Sequence, residues 1–159
     1  MKWQEVIEHP SLQDLPFKIE LNEYGKIEMS PASNRHGRLQ SKINLLLVEY
    51  GSRGEVYIEC SIDTRKGVKV ADVAWSSSDF FAQHGEMTPL PVAPEICVEI
   101  LSPSNSDREM AEKIDLYLAK GAQEVWLCDD DGNLTFYAPQ GRLELSCLFP
   151  NFPKNILEN

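Results

Sequence analysis

Two acidic residues stand inside apolar runs with the length and branching of buried strands: Asp72 in VKVADVAW and Glu99 in ICVEIL. An ionised carboxylate in a buried strand is costly unless it is paired or holds a metal, so each needs a partner. Downstream, Lys113 lies next to Ile114 and one helical turn from Met110 and Tyr117, which puts its ammonium at the edge of a buried stripe. Two acids on neighbouring strands can hold a hard divalent cation such as Mg²⁺, which prefers oxygen ligands and keeps several waters. The cation would polarise a phosphoryl oxygen and activate a water, and the ammonium would orient that water or stabilise charge on phosphorus. This is metal-assisted phosphodiester hydrolysis. Acid–acid–lysine triples are common, however. Asp72 could equally be satisfied by backbone or arginine at a sheet end, and Lys113 could snorkel along the helix with its head in water.

The elements that must position these groups are legible around them. The run Ile96 to Leu101 reads as a strand, and alternation places Glu95, Cys97, Glu99 and Leu101 on one face. Ser102-Pro103-Ser104-Asn105 is turn chemistry, and Ser106 to Glu109 spells a capping box. Met110, Ile114, Tyr117 and Leu118 recur at helical spacing, with Gly121 placed as a C-terminal cap. Glu124 to Cys128 reads as the next strand. Strand, helix, strand over roughly 35 residues is the size of a right-handed crossover onto a parallel sheet.

Around this unit, Lys2 to Glu8 predicts a short helix. Phe17–Leu21 and Lys26–Met29 predict a hairpin, broken by Ser30-Pro31-Ala32-Ser33. Leu39, Ile43, Leu46, Leu47 and Tyr50 predict a long helix closed by Gly51. His36 lies one turn earlier on the same face, where a histidine is more often a packing residue than a catalytic one. His9 and His84 fall in loop-like, solvated surroundings. Glu55–Cys60 and Lys69–Trp75 predict strands separated by a turn at Gly67, and a short helix is expected near Phe80. Asn133–Ala138 and Arg142–Cys147 predict a closing hairpin, and the tail FPNFPKNILEN is expected to pack along the surface.

At 159 residues, without repeat or linker, the chain is read as one domain over 1–159. No run approaches about 18 uninterrupted apolar residues, and the N-terminus MKWQEVIEHPSLQ lacks a signal-peptide core, so a cytoplasmic protein with no membrane association is expected. Fifteen basic against 25 acidic residues give a formal charge of −10, which argues against promiscuous nucleic-acid binding through a broad basic face but leaves room for a local positive cleft. Cys60, Cys97, Cys128 and Cys147 show no C-x-x-C spacing and are read as reduced, buried thiols rather than a zinc site.

The segments VADVAW, APEICVEILSPSNS and EKIDLYLAKGAQEVWL resemble the Uma-type family of candidate restriction endonucleases, formerly a domain of unknown function, within the PD-(D/E)xK nuclease superfamily. The likeness runs across nearly the whole chain, including the hairpin ending MSPAS and the histidine that follows. It implies an α/β (α+β) restriction-endonuclease-like fold, with a mixed central sheet flanked by helices. It also implies a Mg- or Mn-dependent endonuclease acting on nucleic acid, with DNA favoured over RNA as substrate, and working as a homodimer. Asp72 and Glu99 would be the metal ligands and Lys113 the motif lysine moved onto the helix. His36, Glu95 and Tyr117 would support them. Two departures stand out: Ala71 replaces the motif proline, and Leu101 occupies the usual lysine position. Two other readings stay open: a nuclease-fold protein that binds nucleic acid or protein with little or no cutting, and an interaction module in which the acids are remnants.

Overall fold

The apolar runs of the sequence become the strands of one mixed sheet. The computed structural model describes residues 1–51 and 53–158. In chain order the elements are α1 (Trp3–Glu8), β1 (Phe17–Leu21), β2 (Ile27–Pro31), α2 (Asn34–Tyr50), β3 (Glu55–Thr64), β4 (Gly67–Ser76), α3 (Ser78–His84), β5 (Ile96–Ile100), α4 (Asp107–Ala119), β6 (Glu124–Cys128), β7 (Leu134–Ala138) and β8 (Gly141–Leu143). Strands β3 to β8 lie in sequential order, and β1 pairs with β2 in a separate two-stranded sheet. Every neighbour in the larger sheet is antiparallel except β5 and β6. A parallel pair cannot be joined by a hairpin, and α4 supplies the crossover the sequence predicts.

All five residues of β5 are buried, because helices cover both faces of the sheet there. On one face Leu39, Ile43 and Leu47 of α2 pack with Val73, Ile96, Val98 and Trp126. On the other, Ile114 and Tyr117 of α4 pack with Cys97 and Val125. Strand alternation thus sends Glu99 toward α4 and its neighbours Val98 and Ile100 toward α2. Ser106 caps α4 by accepting from the Glu109 N–H at 3.1 Å, and the chain leaves the helix at Gly121 with φ 103°.

Several expectations are corrected. Strand β2 runs on through Ser30 to Pro31, tolerated because the two-stranded sheet has free edges where a missing N–H costs nothing. Strands β3 and β4 extend to a tight turn in which Thr64 faces Gly67. Gly67 has φ 91°, and a Cβ there would stand 2.2 Å from the Leu21 carbonyl oxygen, so only glycine lets this turn seat against β1. The final strand stops at Leu143 instead of reaching Cys147. Past it the Ser146 hydroxyl (3.1 Å) and the Leu148 N–H (3.0 Å) both turn to donate to the buried Glu124 carboxylate. Cys147 is left exposed, whereas Cys60, Cys97 and Cys128 are buried free thiols. The tail is not a surface strap, because Phe152 and Ile156 enter the core under Trp126.

Candidate active site

The hydrogen-bonded ladder between β4 and β5 runs from Trp75–Ile96 to Val73–Val98 and ends one residue short of Asp72 and Glu99. The two acids therefore sit where the strands begin to part, and Asp72 fills the gap by accepting from the Ile100 N–H through Oδ2 at 2.7 Å. Its other oxygen, Oδ1, faces the Lys18 ammonium at 3.1 Å and His36 Nε2 at 3.3 Å. Glu99 presents Oε2 to the same Lys18 ammonium at 3.0 Å. Its Oε1 accepts from the Tyr117 hydroxyl at 2.6 Å and from Lys113 at 3.2 Å. Lys113 also pairs with Glu20 of β1 at 3.0 Å, and Glu20 accepts from the Val70 N–H at 2.7 Å, which ties the hairpin to β4.

Charges alternate along this row: Asp72, Lys18, Glu99, Lys113, Glu20. Three buried carboxylates are offset by two ammoniums, so the row carries one surplus negative charge while His36 is neutral. Burial alone would push the Asp72 carboxyl up. Lys18, His36 and the Ile100 N–H outweigh burial and hold it well below the usual carboxylate range. Burial also opposes ionisation of Glu20, and Lys113 with Lys18 overcomes it to bring that carboxyl down. At Glu99 burial wins against Lys113 and Lys18, and the carboxyl is raised. Burial would lower the Lys18 ammonium, but Glu99, Asp72 and Glu20 raise it further, so it is fully charged at neutral pH.

Helix α2 supplies a second wall. His36 and Gln40 lie one turn apart, and the Gln40 amide donates at 2.8 Å both to the Asp72 carbonyl and to Glu59 Oε1. Glu59 has φ 55°, the left-handed region that costs a non-glycine residue about 1–2 kcal/mol. That strain sits opposite Asp72, where burial raises the Glu59 carboxyl. Lys18, Glu20, His36, Glu59, Asp72, Glu99 and Lys113 all line one open cleft of about 1110 Å³.

The structure thus brings together Asp72, Glu99, Lys113, His36 and Tyr117. Glu95 stands apart. It shares a face with Glu99, but four residues along a strand separate them by roughly 13 Å. Its carboxylate caps the Ser77 N–H at 3.0 Å at the start of α3. Lys18, Glu20, Gln40 and Glu59 are the groups that sequence reasoning missed. The available signal was the alternation in Phe17–Leu21, which gives Lys18 and Glu20 a common face.

Two expectations follow from this geometry. Tyr117→Phe removes a hydroxyl donor from a buried carboxylate and should cost about 1.5–3 kcal/mol in the metal-free protein, read by chemical denaturation at neutral pH. His36 is raised above its ordinary value, first by its hydrogen bond with Asp72. The folded value exceeds the unfolded one, so the stabilisation is fully present below the unfolded value of about 6.5 and is lost as pH rises through the folded value. The stability of His36→Gln should therefore fall less between pH 6 and pH 9 than that of the wild type, in paired urea titrations.

With the geometry in place, comparison with known proteins identifies its lineage. A model of the Uma2 family, described as "Putative restriction endonuclease", matches residues 3–152. The chain belongs to the Uma2 family. A crystal structure described as "a putative nuclease belonging to DUF820", from Anabaena variabilis ATCC 29413, superimposes with a TM-score of 0.74. That match covers 96% of this chain and 94% of the other at 20% identity, so it establishes the shared fold. No curated protein matches the chain. The Uma2 chain is accordingly an α+β protein of nuclease fold, and among its described residues no helix is long and apolar enough to cross a membrane.

Proposed function

We propose that this Uma2 chain is a divalent-metal-dependent endonuclease that hydrolyses phosphodiester bonds in nucleic acid, with DNA as the favoured substrate and Mg²⁺ or Mn²⁺ as the ion. The observation that carries the reading is the convergence of Asp72 Oδ1 and Glu99 Oε2 on one cation, at 3.1 and 3.0 Å from the same ammonium. Carboxylates from two strands pointed at a single positive charge are the donor set a hard cation needs. Among the described residues no three His, Cys, Asp or Glu side chains gather as ligands. An ion here would therefore rest on Asp72 and Glu99 and fill its shell with water and substrate oxygens, as Mg²⁺ commonly does. When bound it would supply Lewis acidity at the phosphoryl oxygen and a more acidic water.

The protein's own groups do the rest. Ile100 N–H and Gln40 fix the side chain and backbone of Asp72, so its other oxygen, Oδ1, stays aimed into the cleft. Tyr117 orients Glu99 from behind. Lys113, held by Glu20, keeps a fixed positive charge beside Glu99, where it favours the negative charge that builds on the reacting phosphate. Two copies working as a homodimer would cut both strands of a duplex. Leu101, standing where the superfamily lysine usually lies, leaves the lysine's part to α4.

The test is direct. Linear and circular DNA, and RNA, are incubated with the protein in Mg²⁺, Mn²⁺ or a chelator. Metal-dependent nicking or cleavage is expected. Binding without cleavage in either ion would favour the reading of a nuclease fold that only binds.

A further inference from the structure

The cation that occupies the candidate ion position belongs to the protein itself. Lys18 comes from the β1–β2 hairpin, not from the central strand–helix–strand unit, yet its ammonium lies between the two acids and its side chain is only 11% exposed. We propose that Lys18 is a tethered stand-in for the metal: a divalent cation enters by displacing its ammonium, which then turns into the cleft to meet a substrate phosphate. The proposal rests on the metal-dependent reading above and adds a residue that sets the site's ion affinity.

Three observations carry it. The first is space. An ion held by Asp72 Oδ1 and Glu99 Oε2 at Mg²⁺ distances of about 2.1 Å lies between the same two oxygens that now grip the ammonium, and the two cannot share that position. The second is charge. Two ammoniums leave the three buried carboxylates with one surplus negative charge. Adding a dication with Lys18 in place would turn that surplus positive in a buried setting. Expelling the Lys18 ammonium returns the row to balance: three negative charges against a dication and Lys113.

The third observation distinguishes the two lysines. Lys113 keeps Glu20 at 3.0 Å whatever happens at Glu99. Among the described residues the Lys18 ammonium hydrogen-bonds to Asp72 and Glu99 alone, the two groups the ion would take. Lys113 therefore stays when the ion arrives, and Lys18 leaves. Its unbranched stem borders the cleft, whose wall also includes Phe17, Ser30 and Pro31 of the same hairpin, so the head has open space to enter. In the metal-free protein only the fraction of molecules with Lys18 swung out is competent to bind, and apparent affinity falls by that fraction.

The experiment pairs Mn²⁺ calorimetry on wild type, Lys18→Met and Glu99→Gln with amine labelling of the wild type, read by mass spectrometry with and without Mg²⁺. The expected result is that Lys18→Met binds Mn²⁺ about tenfold more tightly than wild type, although its metal-free form melts lower because Asp72 and Glu99 then face each other with no ammonium between them. A merely structural lysine would lower both. Labelling of Lys18 should rise several-fold when Mg²⁺ is added, while Lys113 stays unchanged. If Lys18→Met fails to fold, the labelling decides alone: a metal-dependent rise supports displacement, and no change overturns it. Equal or weaker Mn²⁺ binding by Lys18→Met, with Glu99→Gln binding none, overturns the displacement and leaves the metal reading standing. No Mn²⁺ binding by either wild type or Lys18→Met overturns both.

Discussion

Glu99→Gln should lower phosphodiester hydrolysis by about a thousandfold while changing stability by no more than about 2 kcal/mol. The two effects separate because the proposed metal-holding role of Glu99 is distinct from its place in the packing. As the proposed metal ligand it would contribute a full negative charge, and losing roughly 4 kcal/mol of transition-state stabilisation corresponds to about three powers of ten in rate. As a packing group it is fully enclosed between α4 and β1, and burial already opposes its ionisation. An amide of the same size relieves that desolvation but places an NH₂ against Lys18 or against Tyr117 and Lys113, so gain and loss nearly offset. Rates of DNA cleavage measured beside urea unfolding curves check both halves. A variant that lost activity only in proportion to lost stability would remove Glu99 from the chemistry.

Phe152→Ala should destabilise the fold by about 3–5 kcal/mol, the range for truncating a buried aromatic. In a chain of this size that lowers the melting temperature by roughly 10 °C. Phe152 lies past the last strand and is only 3% exposed. Its ring packs 4.7 Å from Trp126 and 5.1 Å from Tyr50, linking β6 to the end of α2. The tail is pinned just past it, by Leu134 N–H donating to the Lys154 carbonyl and Ile156 N–H donating to the Gly132 carbonyl. Little collapse can fill the space, so the cavity cost adds to the transfer cost. Calorimetric melting tests this, and a drop of only a few degrees would mean that the tail is peripheral.

How much of this was legible follows from how local each feature is. The unit from Ile96 to Cys128 could be read because one continuous stretch carries its own strand, cap, helix face and glycine stop. Asp72 and Glu99 could be singled out because an acid inside an apolar strand is a local anomaly. Lys18 and Glu20 gave no such signal. Charged residues alternating with Ile19 and Leu21 look like the wet face of a hairpin, and they become the dry face only because β1 docks on β4 through Glu20 and Val70. Docking between separate sheets leaves no period in the sequence. Glu95 shows the converse fault: alternation gives the face of a strand but not the distance along it. Glu124 and the tail were missed together, since one oxygen of the carboxylate takes the Trp126 indole N–H but the other is satisfied by residues that leave the last strand to reach it.

The proposed function stands on Asp72 and Glu99 holding a divalent ion between two strands. Its most direct test is Mn²⁺ calorimetry on wild type and Asp72→Asn side by side, at neutral pH and without substrate. A single-site isotherm is expected for the wild type and none for the variant, with the variant still folded by circular dichroism. Equal binding in both would contradict it and place the ion somewhere else on the molecule.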